Sequence, residues 1–519
     1  MDQPDVELLV NSSSANDDDT IVVSKFVSQL FDIHHTADEA KNDPSTQYLG
    51  HEYRAVSVDY WTNKLIKDTE ALGDGMGPES KVYHIEEKII REKGKNVICP
   101  RDGRPGAAYV DCVFGEENVG LAVIMLSYTW GYTLGDIADG LNEFCRDNGL
   151  NPKNVYVWMC CLCINQHRVK EAQAKGESIP FEQFRKDFAS RVEGVGKIVA
   201  LMAPWRSPFY IKRVWCDFEM FTAMELANLD CKVNVTMPSA QKADLFKTLC
   251  DAEGVDTMWK SLVDLTVEDA DASIQEDKTR IFEIIVDSVG FHRVNMTVSR
   301  YLQGWMVQTC ERHLGDKLEH EDLEPLQAIK LRVTVAQMLR KIGLDDMLHR
   351  AAKYLQEGQE QAQTLAAIPE EVDGLLKREL GMVKLLHGQM DTAKEYLTEA
   401  LSHFQKSGQI NTTEGVMMLI DIGTMYRKHE LNDEAEKHFD AARRICLGIS
   451  CEDDPASATR SATPEDVQNM SKEYKVHYAR ILKDLGDTKR RMKNSEGVRH
   501  RMAECIENLQ ASREVYQEL

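Results

Sequence analysis

The residues best suited to chemistry are Trp215 and Glu219, which stand four apart in the block KIVALMAPWRSPFYIKRVWCDFEMF, Lys197 to Phe221. That spacing puts them on one face of a helix, with the carboxylate beside an indole. A carboxylate held in this way can stabilise positive charge as it develops on a reacting group. The plainer alternative is an ion pair with Arg213 or Lys212, or a cap on a solvated face. Trp130, Trp158, Trp205 and Trp215 offer flat surfaces for a nucleotide base, although aromatic residues at strand ends serve as core lids more often than as clamps. Trp130 and Trp205 are the exceptions to look for, because each directly follows an apolar run. Ser127, Asn165 and Gln166 are polar groups at the ends of such runs, where turns use side-chain hydrogen bonds; for Asn165 the structural role is the stronger reading. His167 has the chemistry of a general acid or base, against the bland reading of a surface histidine.

The cysteines invite a metal reading that the spacing does not support. In CCLC (Cys160, Cys161, Cys163) a zinc site would need a second ligand pair elsewhere, and alternation along a strand sends Cys160 and Cys161 to opposite faces. They read as small apolar core residues. Cys216, near a helix start, is open to a lowered thiol pKa but is most simply a packing residue. The chain has no P-loop, no G-x-G-x-x-G after its first core strand and no G-x-S-x-G, which removes support for kinase, ordinary dehydrogenase and hydrolase readings.

These residues need elements to hold them. LAVIMLSYTWGY (Leu121 to Tyr132) and NVYVWMCCLCINQH (Asn154 to His167) begin as unbroken apolar runs and end in polar or small residues, as strands do when a parallel sheet buries both faces. Between them TLGDIADGLNEFCRDNGL predicts a helix, with Thr133 as N-cap, apolar residues at Leu134, Ile137, Ala138, Leu141 and Phe144, and a stop near Gly149. A third strand, KIVALMAPW, leads to a helix starting near Ile211 to Arg213. Alternating strands and helices predict a doubly wound parallel sheet, with ligands gathering beyond the carboxyl ends of the strands. Ser127, Trp130, Gly131, Asn165, Gln166, His167 and Trp205 all fall at that edge.

LSYTWG followed by W..CLCINQ resembles the heterokaryon-incompatibility (HET) domain, which is related in fold to the Toll/interleukin-1 receptor (TIR) domain. VWCDFE is similar to the Trp-Cys-x-x-Glu signature of TIR domains in plant immune receptors. The resemblance spans roughly Cys99 to Cys310. It implies a TIR/flavodoxin-like fold and a role in intracellular signalling or defence. By resemblance to TIR domains that cleave NAD, Glu219 would engage the nicotinamide ribose, and glycosidic cleavage does pass through an oxocarbenium-like state that a carboxylate stabilises. The chain departs from the HET pattern at Cys160, where those domains usually carry an Asp.

Composition bounds the rest. At 519 residues the chain has room for two or three domains, and a hydrophobic fraction of 43% is ordinary for a soluble protein. No apolar run approaches the roughly 20 residues that span a bilayer. The first 20 residues hold six acids and no Lys or Arg, unlike a signal or transit peptide. Thirteen scattered cysteines read as reduced thiols in the cytoplasm or nucleus. A formal net charge of −23 argues against nucleic acid or an anionic membrane as the main partner.

The second half reads as almost wholly helical and repetitive. Gly381, Gly388, Ala393, Leu397 and Ala400 recur 42 residues on as Gly423, Glu430, Ala435, Phe439 and Ala442, with Glu430 where the second Gly would stand. This resembles tetratricopeptide (TPR) repeats, whose small residues let paired helices pack closely; KSGQINTT is the extra loop that the long period requires. Fainter copies are expected around AQMLRKIGLDDMLHRAAKYL and YARILKDLGD.

The sequence therefore predicts an acidic disordered start (1–20), an N-terminal extension or cap of unassigned fold (21–110), a HET/TIR-like α/β domain (111–315) and TPR-like helices (325–519). Glu219 is the candidate catalytic residue; Ser127, Trp130, Gly131, Asn165, Trp205 and Trp215 are the candidate nucleotide-binding residues, with no metal and no required cofactor. Either the chain is a signalling enzyme acting on NAD or it is a non-catalytic adaptor. Both readings expect protein partners on the TPR-like helices and self-association of the α/β domain.

Overall fold

A computed structural model describes residues 52–176, 190–225, 231–250, 259, 262, 265–272, 275–320, 323–448, 464–491 and 506–515. The expected disordered start and the helical pattern VSKFVSQLF lie outside them. The chain divides into two compact units, 1–248 with 253–309, and 249–252 with 310–519; the main boundary falls inside the helix Phe291–Glu319.

The first unit is built on a six-stranded sheet of order β2-β1-β4-β3-β5-β6, with β1 Arg54–Ser57, β2 Val119–Leu121, β3 Ile124–Ser127, β4 Tyr156–Trp158, β5 Lys197–Leu201 and β6 Lys232–Thr236. The expectation of a parallel sheet holds for β4-β3-β5-β6 and is corrected at one edge, where β1 runs antiparallel to both β2 and β4. β3 is buried along its whole length and β5 at all but its first residue, which is why both read as continuous apolar runs. From β3 the chain crosses to β4 on one side, and from β5 to β6 on the other. The order of connection therefore reverses between β3 and β5, where Ser127 pairs with Ala200.

The helices follow their local signals. The expected helix is α1 (Leu134–Asp147): Thr133 accepts from the Asp136 N–H at its start, and Leu134, Ile137, Ala138, Leu141 and Phe144 are buried. Further helices are α2 (Gln166–Ala174), α3 (Val214–Glu225), α4 (Ser239–Cys250), α5 (Gln275–Ser288) and α6 (Phe291–Glu319), the last of which contains the unit boundary. The described part of the stretch read as an extension, from residue 52 on, joins the same core: β1 lies inside the sheet, and Val58, Trp61, Leu65, Val82, Ile85 and Ile90 belong to the cluster that contains Ile124, Leu126 and Ile198.

The second unit is a series of helical hairpins: α7 (Pro325–Ile342) with α8 (Asp345–Thr364), α9 (Glu370–Leu386) with α10 (Met390–Lys406), α11 (Thr413–Lys428) with α12 (Asn432–Cys446), and then α13 (Lys472–Arg491) packed on α12. The repeat is visible in the packing. Ala393, Leu397, Ala400 and Phe404 are fully buried on α10, and their counterparts Ala435, Phe439, Ala442 and Cys446 are buried on α12. A Cβ on Gly381 would lie 2.7 Å from the Leu397 side chain, and one on Gly423 would lie 2.7 Å from the Phe439 ring, so close helix approach needs glycine at both. Gly388 turns the first of these hairpins at φ +74°, and Glu430 makes the same left-handed turn at φ +61°. The inserted loop contains a short 3₁₀ turn, Gln409–Asn411. Buried or half-buried ion pairs join the first helix of each hairpin to the next first helix, and that of the last hairpin to α13. Arg340 Nε donates to Glu379 at 2.7 Å, Arg378 Nε to Asp421 at 2.8 Å, and Arg427 to Asp484 on α13 at 2.7 Å.

Candidate functional site

The site is set by α3 and the end of β3. The sequence of α3, VWCDFEMFTAME, is apolar on most sides, as suits a helix covered nearly all round. Val214, Cys216, Phe218, Met220 and Phe221 are buried, while Trp215 and Glu219 are the half-buried positions of its first two turns. Its start is pinned where Val214 N–H donates to the Asp271 carbonyl at 3.1 Å. Trp215 meets Phe218 edge-on at 6.3 Å.

Glu219 reaches Ser127, the last residue of β3, which is fully buried, and the two side chains hydrogen-bond. Ser127 Oγ also lies 2.9 Å from Tyr210 Oη, and Tyr210 donates to the Cys216 carbonyl at 2.9 Å. Beside them the Trp130 indole N–H donates to Cys160 Sγ at 3.2 Å, and the Cys160 thiol approaches Tyr128 Oη at 3.6 Å. Burial pushes the Glu219 carboxyl up to about 7, with the Ser127 hydrogen bond partly opposing. Burial likewise raises the Cys160 thiol, against the pull of its bonds to Trp130 and Tyr128, and raises Tyr128, Tyr210 and Cys216 well above their usual ranges. The cluster thus holds neutral phenols and thiols around one carboxyl that changes charge near neutrality. Asp217, also on α3, is fully buried, its two oxygens have no hydrogen-bond partner, and burial raises it well above the carboxylate range.

The structure brings Ser127, Trp130 and Glu219 into this cluster, with Trp215 on the same helix face as Glu219, and gives Glu219 a bond to Ser127 where the plain reading had Arg213 or Lys212. Gly131 follows Trp130 in a half-buried turn, its N–H bonded to Thr129 Oγ1 at 3.2 Å. Two candidates are committed elsewhere. Asn165 caps α2 by accepting from the His167 and Arg168 N–H groups and donates to the Gly106 carbonyl at 2.9 Å. Trp205 is 2% exposed, with its indole N–H bonded to Asp244 on α4 at 2.7 Å and Arg206 stacked over its ring. Gln166 donates to the Cys160 carbonyl, and His167 Nε2 lies 2.9 Å from the Arg91 carbonyl. The expectation that CCLC continues the strand is corrected: β4 ends at Trp158, and Cys160–Cys163 forms a single helical turn. Tyr128 and Tyr210 were missed. Tyr128 stands inside the LSYTWG block, but Tyr210 meets Ser127 only across 83 residues of chain, a pairing that no local spacing signals.

No family model matches this chain, and no curated protein matches it. Among solved structures it is similar to BtubC (BKLC) from P. vanneervenii at 12% identity, over 54% of this chain and 90% of that one, with a TM-score of 0.32. A likeness that faint assigns neither fold nor function. Among the described residues no helix is long and apolar enough to cross a membrane.

Proposed function

We propose that the first unit is a HET/TIR-like domain of flavodoxin-type topology that takes NAD beyond the carboxyl ends of β3 and β5 and hydrolyses its nicotinamide–ribose bond, and that the second is a TPR-like array for protein partners in signalling or defence. One observation carries the reading. Glu219 meets the end of β3 where the order of connection reverses, the place at which open α/β sheets collect ligands. The order of the four parallel strands by sequence, 2-1-3-4, is that of the flavodoxin class. In the reaction the nitrogen–C1′ bond breaks and its electron pair leaves with nicotinamide. Ionised Glu219 stabilises the cationic ribosyl group, and water adds to C1′ and gives up a proton. Trp130 and Trp215, both half-buried, flank the cluster as stacking surfaces.

The adaptor reading draws on a different observation. Glu219 is bonded to a buried serine and neutral below about pH 7, while Asn165 and Trp205 serve the fold. Nicotinamide release by the full chain, free and artificially clustered, separates the two when measured beside Glu219→Ala. Release that rises through pH 7 and vanishes in the variant supports hydrolysis. Folded, clustered protein that releases nothing leaves the adaptor reading, with the helical hairpins as the place to seek partners.

A further inference from the structure

The hydrogen bonds around Glu219 contain one more link than the neighbouring hydroxyl groups have protons. Three links run in series, from Glu219 Oε2 to Ser127 Oγ, from Ser127 Oγ to Tyr210 Oη, and from Tyr210 Oη to the Cys216 carbonyl oxygen. Each needs one hydrogen, and a carbonyl can only accept. With Tyr210 donating to Cys216, Ser127 must donate to Tyr210, and the link to Glu219 is filled only if the carboxyl carries the third proton. Ionisation reverses the series. Ser127 then donates to the carboxylate and Tyr210 to Ser127, and the Cys216 carbonyl loses its phenol partner.

The groups that sense the Glu219 charge are themselves neutral. The ionisable groups that feel Glu219 are Tyr210 on the turn before α3, Cys160 on the turn after β4, and Cys216 on α3 itself, all held neutral by burial. Asp217 on α3 is raised likewise. Arg213, at the start of α3, pulls the Cys216 thiol down against the burial that raises it.

We propose that Tyr210 is a positioning residue that, by drawing the Ser127 proton to itself, holds Glu219 protonated against the end of β3, and that ionisation of Glu219 returns the Ser127 proton to the carboxylate and breaks the link from Tyr210 to the first turn of α3. The site is then armed by loss of one proton. What that proton controls rests on the function proposed above, whereas the proton inventory stands on the hydrogen bonds alone.

The test is infrared difference spectroscopy of the full chain across pH, following the carboxylic C=O band that is absent from Glu219→Gln. Tyr210→Phe leaves the Ser127 proton free for the carboxylate, so the midpoint of the band falls by about one pH unit. Ser127→Ala removes the charge-assisted bond to the carboxylate, so the midpoint rises by a similar amount. A merely structural role would not move the two midpoints in opposite directions. Shifts of the same sign, no shift, or no Glu219 band in the wild type near pH 6 would overturn the proposal. Should Tyr210→Phe not fold, Ser127→Ala decides alone: a rise supports the proposal, and an unmoved or lowered midpoint sinks it. Absence of NAD turnover would count against the enzyme reading without touching this result.

Discussion

Replacing Glu219 with Gln should stabilise the first unit, and only at neutral and alkaline pH. The amide has the shape of a protonated carboxyl and can donate to Ser127 Oγ as that carboxyl does, but it cannot ionise. In the wild type the carboxyl stands near 4.5 in the unfolded chain and about 7 in the fold. Below the lower value both states hold the proton and the group has no pH-dependent effect. Between the two the unfolded chain gives up its proton while the folded one keeps it, so stability falls as pH rises, levelling off above about 7. At about 1.4 kcal/mol per pH unit, that interval is worth about 3 kcal/mol. Asp217 adds a slope of the same sign, but it is present in both proteins and cancels in their difference. All seven tryptophans lie at or before Trp305, so indole fluorescence during denaturant unfolding reports on the first unit. The stability gap between Glu219→Gln and wild type should open between about pH 4.5 and 7 and favour the variant by about 3 kcal/mol at pH 8. A gap that stays constant over that range, or a variant that is weaker at pH 8, would refute the placement of Glu219 as a buried acid.

Other perturbations test the frame around the site. Arg378→Ala strands Asp421, which is 5% exposed, and should cost about 3–5 kcal/mol in the second unit; an Arg378→Met, Asp421→Leu pair should recover most of it in thermal unfolding followed by helical circular dichroism. Gly423→Ala drives a methyl group into the Phe439 ring and should cost about 1–3 kcal/mol, whereas Glu430→Gly relieves a left-handed turn and should gain about 0.5–1 kcal/mol by the same measurement. A fragment beginning at Cys99 lacks β1 and leaves one edge of β4 bare, so it should aggregate where the full chain stays monodisperse in size-exclusion chromatography. A folded, monodisperse fragment would contradict the place of β1 in the sheet.

The sequence made local things legible. Thr133 and the apolar spacing after it marked α1, continuous apolar runs marked β3 and β5, and the four-residue step from Trp215 to Glu219 put both on the half-buried face of α3. The recurring small residues marked the hairpins, down to Glu430 in a glycine's place. What stayed hidden was non-local. RAVS is too short to announce a strand, and its antiparallel insertion beside β4 depends on a partner about 100 residues away. The run through CCLC misled because an apolar stretch does not distinguish a strand from a buried helical turn. Trp205 does follow β5, but packing claimed its indole N–H, and Asn165 lies not at the end of β4 but beyond a helical turn, where it caps α2. Glu219 could be found from sequence; its proton, which depends on Tyr210, could not.

The three ion pairs that link α7, α9, α11 and α13 have a direction. In each of them the arginine stands on the earlier helix and the acid on the later one. α9 carries both an acid facing back, Glu379, and an arginine facing forward, Arg378; α11 repeats this with Asp421 and Arg427. In this ladder α7 contributes only the forward arginine and α13 only the backward acid. Each interior hairpin is therefore a self-contained token with one socket and one plug. Whole hairpins could be duplicated, deleted or exchanged without leaving a charge of this ladder unpaired, whereas an insertion that split a token would strand one of its charges. The array is written in a grammar that tolerates changes of length and penalises changes of phase.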